Sequence, residues 1–114
     1  MIDLKPTHLT EVKRILRKHA PGCEVRVFGS RLNGTARKNS DLDLVLVSSK
    51  SLDWHTLENI KDTFAESDLP FMVDVLDWHT ISRSFQEIIE KQYEVIQKPA
   101  YGPDGGEKGF GGGA

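Results

Sequence analysis

Apolar residues recur at helical spacing through Leu9, Val12, Ile15 and Leu16, which predicts a helix over residues 9–20 with Thr7 or Thr10 as its cap. Pro21-Gly22 ends it, because proline cannot continue a helix and glycine suits the residue beyond a C-terminus. Residues 24–28 (Glu-Val-Arg-Val-Phe) then alternate, as a strand does. After Gly29-Ser30 the stretch 31–40 is polar and short-chained, the pattern of a loop with room for a single helical turn. Strand chemistry returns at 41–47. Its second half, Leu44-Val45-Leu46-Val47, is apolar without alternation, which predicts a central strand covered on both faces.

Trp54, Leu57, Ile60 and Phe64 predict a second helix over 53–64, with Ser51 or Asp53 as its cap. A third strand is expected over 71–76 and a third helix over 81–91, through Ile81, Phe85, Ile88 and Ile89. A short apolar piece follows at 93–96. The sum is an α/β chain: a small mixed β-sheet flanked by helices. Asp53-Trp54-His55-Thr56 recurs as Asp77-Trp78-His79-Thr80, each copy placed where a helix should begin, so Asp77 is expected to be a helix cap.

The length of 114 residues sets one domain, expected over 1–98. Residues 99–114 differ in kind. Seven of the ten glycines fall within 102–114 with almost nothing apolar beside them, which predicts a disordered tail. A net charge of −2 offers no broad basic surface, so tight binding of nucleic acid is not expected. Cys23 is the single cysteine, and no export signal or long apolar run is present, so the expected compartment is the cytoplasm, away from any membrane.

The chemistry concentrates in residues 29–44. A Gly-Ser turn follows one strand, and ten residues later an Asp-x-Asp pair opens the next. Side chains alternate along a strand, so Asp41 and Asp43 share a face about 7 Å apart, while Leu42 and Leu44 point away. Paired carboxylates repel unless a cation or a proton intervenes. Oxygen donors without His or Cys suit Mg²⁺ or Mn²⁺ rather than zinc. Magnesium held by one or two carboxylates completes its shell with water and substrate phosphates, so a nucleoside triphosphate is the expected ligand.

Gly29 would let backbone amides approach those phosphates, and the Ser30 hydroxyl would add a donor. Arg31, Arg37 and Lys38 are available to offset phosphate charge, against the plainer role of surface cations. Asp74 interrupts the apolar run Val73-Asp74-Val75 and needs compensation if buried. If its strand lies beside that of Asp41 and Asp43, the three carboxylates meet, and Asp74 can accept the proton of an attacking hydroxyl. The histidines match no metal spacing, and Cys23 has no histidine partner, so zinc or thiol chemistry is not expected.

Gly29-Ser30, the ten-residue interval, Asp41-x-Asp43 and the later strand aspartate Asp74 together resemble the DNA polymerase beta superfamily. The shortness of the chain resembles its minimal nucleotidyltransferases. The resemblance implies a mixed sheet flanked by helices, two divalent metal ions held by Asp41, Asp43 and Asp74, and transfer of AMP from ATP with release of pyrophosphate. It also implies a partner. Many minimal nucleotidyltransferases look like antitoxins paired with a HEPN-domain ribonuclease toxin, attaching AMP to a tyrosine of that toxin. A silent module that holds nucleotide, or masks a partner without turnover, would keep much of the same sequence and stands as the alternative.

Overall fold

The structure, a computed structural model, describes residues 2–34 and 40–100. Arg37, Lys38 and the glycine-rich stretch 101–114 lie outside the described residues. The chain runs α1 (Pro6–His19), β1 (Glu24–Phe28), α2 (Ser30–Asn33), β2 (Leu42–Val47), α3 (Trp54–Ala65), β3 (Val73–Asp77), a 3-10 turn (Trp78–Thr80), α4 (Arg83–Lys91) and β4 (Glu94–Gln97).

α1 begins three residues earlier than its apolar stripe suggests, because Pro6 stands at the first helical position, where its missing N–H costs nothing. Neither threonine caps it. Lys5 occupies the cap position, and the Thr10 hydroxyl donates back to the Pro6 carbonyl at 2.9 Å. Arg17, Lys18 and His19 fill the last turn, where positive charge suits the helix dipole.

The four strands form one sheet in the order β3-β2-β1-β4. β1 is antiparallel to both β2 and β4, and β2 is parallel to β3, so β2, α3 and β3 make a strand–helix–strand unit. β2 is an inner strand, and Leu44, Val45 and Leu46 are fully buried on both of its faces, as its unbroken apolar run requires.

Two cores follow, one on each face of the sheet. On the first, Val25 and Val27 of β1 and Leu42, Leu44 and Leu46 of β2 pack against Val12, Ile15 and Leu16 of α1 and Ile60 and Phe64 of α3. On the second, Phe28 and Val45 meet Ile89 of α4, with Phe85, Leu76 and Trp78 around them.

The repeated tetrapeptide starts two different structures. Asp53 stands at the cap position of α3 without a side-chain cap bond. Asp77 accepts from the His79 amide and opens a 3-10 turn instead of an α-helix. Ser82, two residues beyond that turn, caps α4 by accepting from the Phe85 amide, so α4 starts at Arg83 instead of 81. The short apolar piece near the C-terminus is β4, which closes the sheet against β1, and beyond it the Ala100 amide donates to the Pro21 carbonyl at 2.7 Å.

Candidate active site

Strand register brings the acids together. Asp43 of β2 is aligned with Phe28 of β1 on one side and with Asp74 of β3 on the other. Asp41 lies two residues before Asp43, just ahead of β2, and alternation turns both toward the second face of the sheet. Asp41 and Asp74 are exposed, while Asp43 is half-buried between them.

The electrostatics reflect that crowding. Asp43 has its pKa pushed up to about 6, first by burial and then by the negative charges of Asp74 and Asp41. A bound cation, or a proton, would relieve it. Among the described residues no three His, Cys, Asp or Glu side chains are arranged to hold a metal ion by themselves. The carboxylates sense one another's charge without closing around a single point. Such an arrangement suits a cation that takes its remaining ligands from water and from substrate oxygen atoms.

Gly29 lies against Asp43. Its φ of 85° and ψ of −155° place it in a region open essentially to glycine, and a Cβ there would collide with the Asp43 carboxylate. The glycine therefore sets both the sharp exit from β1 and the space that Asp43 occupies. Ser30 begins α2, a single turn closed by the Leu32 amide on the Gly29 carbonyl at 3.0 Å, and Gly34 ends it at φ 85°.

Arg31 has an employment that sequence spacing did not suggest. It is only 7% exposed; its Nε donates to the Ser40 carbonyl at 3.0 Å and an Nη to the Asp3 carbonyl at 2.9 Å. The guanidinium also lies 4.5 Å from the centre of the Phe71 ring, and the Asp3 amide returns a bond to the Arg31 carbonyl at 2.7 Å. Arg31 faces protein carbonyls and ties the N-terminal segment, α2 and the residue before Asp41 together.

Asp77 is 2% exposed and stands at the other end of β3 from the carboxylate cluster. Its two oxygens accept from the Leu52 amide at 2.8 Å and the His79 amide at 3.0 Å, which pins the approach to α3. Two aspartates three residues apart thus do unlike work: Asp74 stays open at the site, and Asp77 closes a loop. A groove of about 790 Å³, bordered by Asp41 and Asp74 and by Lys61 and Asp62 of α3, also opens beside the cluster. Nothing in the spacing of Lys61 and Asp62 distinguishes them from other exposed helix charges.

A sheet that sets paired aspartates on an inner strand, a third on the parallel neighbour and a Gly-Ser turn at the end of the adjacent strand is the architecture of a nucleotidyltransferase. Residues 10–100 match the family model described as polymerase beta, nucleotidyltransferase, and the chain belongs to that family. It is 48% identical over 97 residues, 85% of each chain, to a Haemophilus influenzae protein named probable protein adenylyltransferase MntA. The fold is shared with a crystal structure of a toxin–antitoxin complex with AMP-PNP, at a TM-score of 0.68, 24% identity, and 81% coverage of this chain and 74% of that one. It is also shared with a chain in the complex of the tri-AMPylated Shewanella oneidensis HEPN toxin with its MNT antitoxin, at a TM-score of 0.64, 19% identity, and 83% and 73% coverage.

Proposed function

We propose that this chain transfers AMP from ATP to a hydroxyl, that of a tyrosine, on a HEPN-domain partner, and so acts as the antitoxin of that toxin. The observation that carries this is the Asp41, Asp43 and Asp74 cluster, with the Asp43 pKa pushed up to about 6 by burial and by its two acidic neighbours. Such a repulsive arrangement does nothing for stability, and a site for cations and phosphates is its natural use. The 48% identity to a probable protein adenylyltransferase, and the fold shared with a chain of the complex between a tri-AMPylated HEPN toxin and an MNT antitoxin, support the choice of nucleotide and partner.

The donor set fits Mg²⁺: it is all carboxylate oxygen, and the charge repulsion at Asp43 is what a divalent ion removes. Asp41, Asp43 and Asp74 would hold two such ions, which when bound neutralise phosphate charge and stabilise the developing charge on the entering and leaving oxygens. Gly29 and Ser30 bind the far end of the triphosphate, the glycine by giving the backbone close approach and the serine by its hydroxyl. Arg31 holds Ser40 and therefore the start of the Asp41 strand.

In the reaction the acceptor hydroxyl oxygen forms a bond to the α-phosphorus. The bond from that phosphorus to the bridging oxygen breaks, and pyrophosphate leaves with the electron pair. The hydroxyl proton passes to Asp74, which stands exposed on β3 beside Asp43. The test is pyrophosphate release from ATP in the presence of the HEPN-domain chain. Release should require both Mg²⁺ and the partner, and should fall by a factor on the order of 10²–10⁴ in Asp74→Asn, the usual contribution of a general base. Release undiminished by that substitution removes Asp74 from the role.

A further inference from the structure

The sheet leaves β3 at an edge, and the groove of about 790 Å³ runs along it. Four consecutive residues of this edge, 72–75, line the groove, and Lys61 and Asp62 form its far wall on α3. Met72 stands 73% exposed at its mouth, an unusual position for so large an apolar side chain.

Among the described residues β3 pairs with β2 alone, so its other side carries no strand. The Leu42 amide donates to the Met72 carbonyl at 2.9 Å, and Leu42 is aligned with Val73. In a parallel pair successive residues turn their amide and carbonyl to opposite sides. Met72, Asp74 and Leu76 therefore face β2, while Val73 and Val75 direct theirs outward into the groove. Such an edge is a template for an added strand.

The location says what should come there. Gly29 and Ser30 lie at the end of β1, on the opposite side of β2 from β3. A displacement at phosphorus places the entering and leaving groups in line on opposite sides. A triphosphate held from the β1 side is thus met by an acceptor from the β3 side. Asp41 and Asp74 are taken up by the cations of the proposed site, which leaves Asp62 against Lys61, and the rest of the lining is apolar, with Phe64, Leu69, Phe71 and Met72 among it, so the groove suits backbone pairing and apolar contact.

We propose that the groove beside β3 receives an extended segment of the acceptor polypeptide as a fifth strand, which delivers its hydroxyl to Asp74. This rests on the adenylyltransferase reading above and specifies how that acceptor is bound. Backbone pairing to Val73 and Val75 supplies register, Met72 supplies apolar contact, and alternation along the added strand puts one side chain on the face that Asp74 shares.

Hydrogen exchange of individual amides, measured on the protein alone and in complex with the HEPN-domain chain, tests it directly. The Val73 and Val75 amides should slow by about tenfold or more on complex formation, the effect of one added hydrogen bond each. Unchanged exchange at both, or a HEPN chain that does not bind, overturns the proposal. Val73→Pro removes an outward-facing donor without touching the ladder to β2. It should raise the KM for the acceptor about tenfold with the KM for ATP unchanged. Met72→Ser, which removes the exposed apolar contact, should also raise the acceptor KM with the KM for ATP unchanged. Equal acceptor KM in both variants and the unaltered protein also overturns it. Protection of Val73 and Val75 without any AMP transfer would refute the reading on which the proposal rests and leave the groove assignment standing; transfer without protection refutes the groove alone.

Discussion

At Asp43 the site is built at the expense of the fold. The side chain is half-buried beside two like charges, so its pKa rises from 3.8 to about 6, and the folded protein holds a proton there that the unfolded chain has lost. The sign follows. This group's contribution to stability is fully present below pH 4 and is lost as pH rises through about 6. Metal-free protein should therefore lose stability between pH 4.5 and 7.5 relative to Asp43→Asn, whose difference from the unaltered protein in urea unfolding isolates this residue. A difference independent of pH would contradict the assignment. Mg²⁺ and the proton compete for the same oxygens, so Mg²⁺ affinity should fall below about pH 6. Gly29 is the other residue with a single tenable identity. In Gly29→Ala the added methyl meets the Asp43 carboxylate at a backbone conformation foreign to alanine, costing about 1–3 kcal/mol. Thermal unfolding should occur several degrees lower, with AMP transfer lost as Asp43 shifts. An unshifted midpoint would show that the turn relaxes freely.

At the scale of elements, the site depends on how short pieces are fastened. α2 is a single turn that could not persist alone, and Arg31 within it joins three segments by two side-chain bonds and a ring contact. Arg31→Met should destabilise the protein by about 1–3 kcal/mol, through the loss of two part-buried hydrogen bonds from a charged donor. It should lower kcat more than it raises the KM for ATP, because Arg31 fixes the approach to Asp41 rather than the triphosphate. A rise in the KM for ATP alone would return Arg31 to the phosphates. Nothing in the sequence marked this role. Its partners are the carbonyls of Asp3 and Ser40, and every residue has a carbonyl, so residue type carries no signal. The strands and helices were legible where apolar spacing is long, as in α1, α3 and β2. The starts of α1 and α4 were not, because Pro6 and Ser82 settle them by local geometry that several neighbouring residues could equally have supplied, whereas Asp53 stands at the cap position of α3 that the sequence offered.

At the scale of the whole molecule, two cores hold one sheet between α1 and α3 on one face and α4 on the other, and the acids emerge where the second core ends. The placement of Asp41 and Asp43 was readable because alternation along a strand is a fixed geometry. Asp74 needed one further fact, that β3 runs parallel beside β2 with Asp74 level with Asp43, which no spacing along the chain states. The groove was illegible for the same reason: it is made by the edge of β3 and the side of α3, which meet only in the folded molecule. Among the described residues no helix is long and apolar enough to cross a membrane.

The central claim is that the carboxylate cluster performs transfer onto a partner chain. Intact masses of this protein and the HEPN-domain chain, taken after incubation with Mg²⁺ and ATP, test it most directly. The account predicts AMP-sized increments on the partner alone, absent when Asp41→Asn replaces the unaltered protein. Increments that persist in Asp41→Asn, or a partner neutralised with no increment at all, would contradict it.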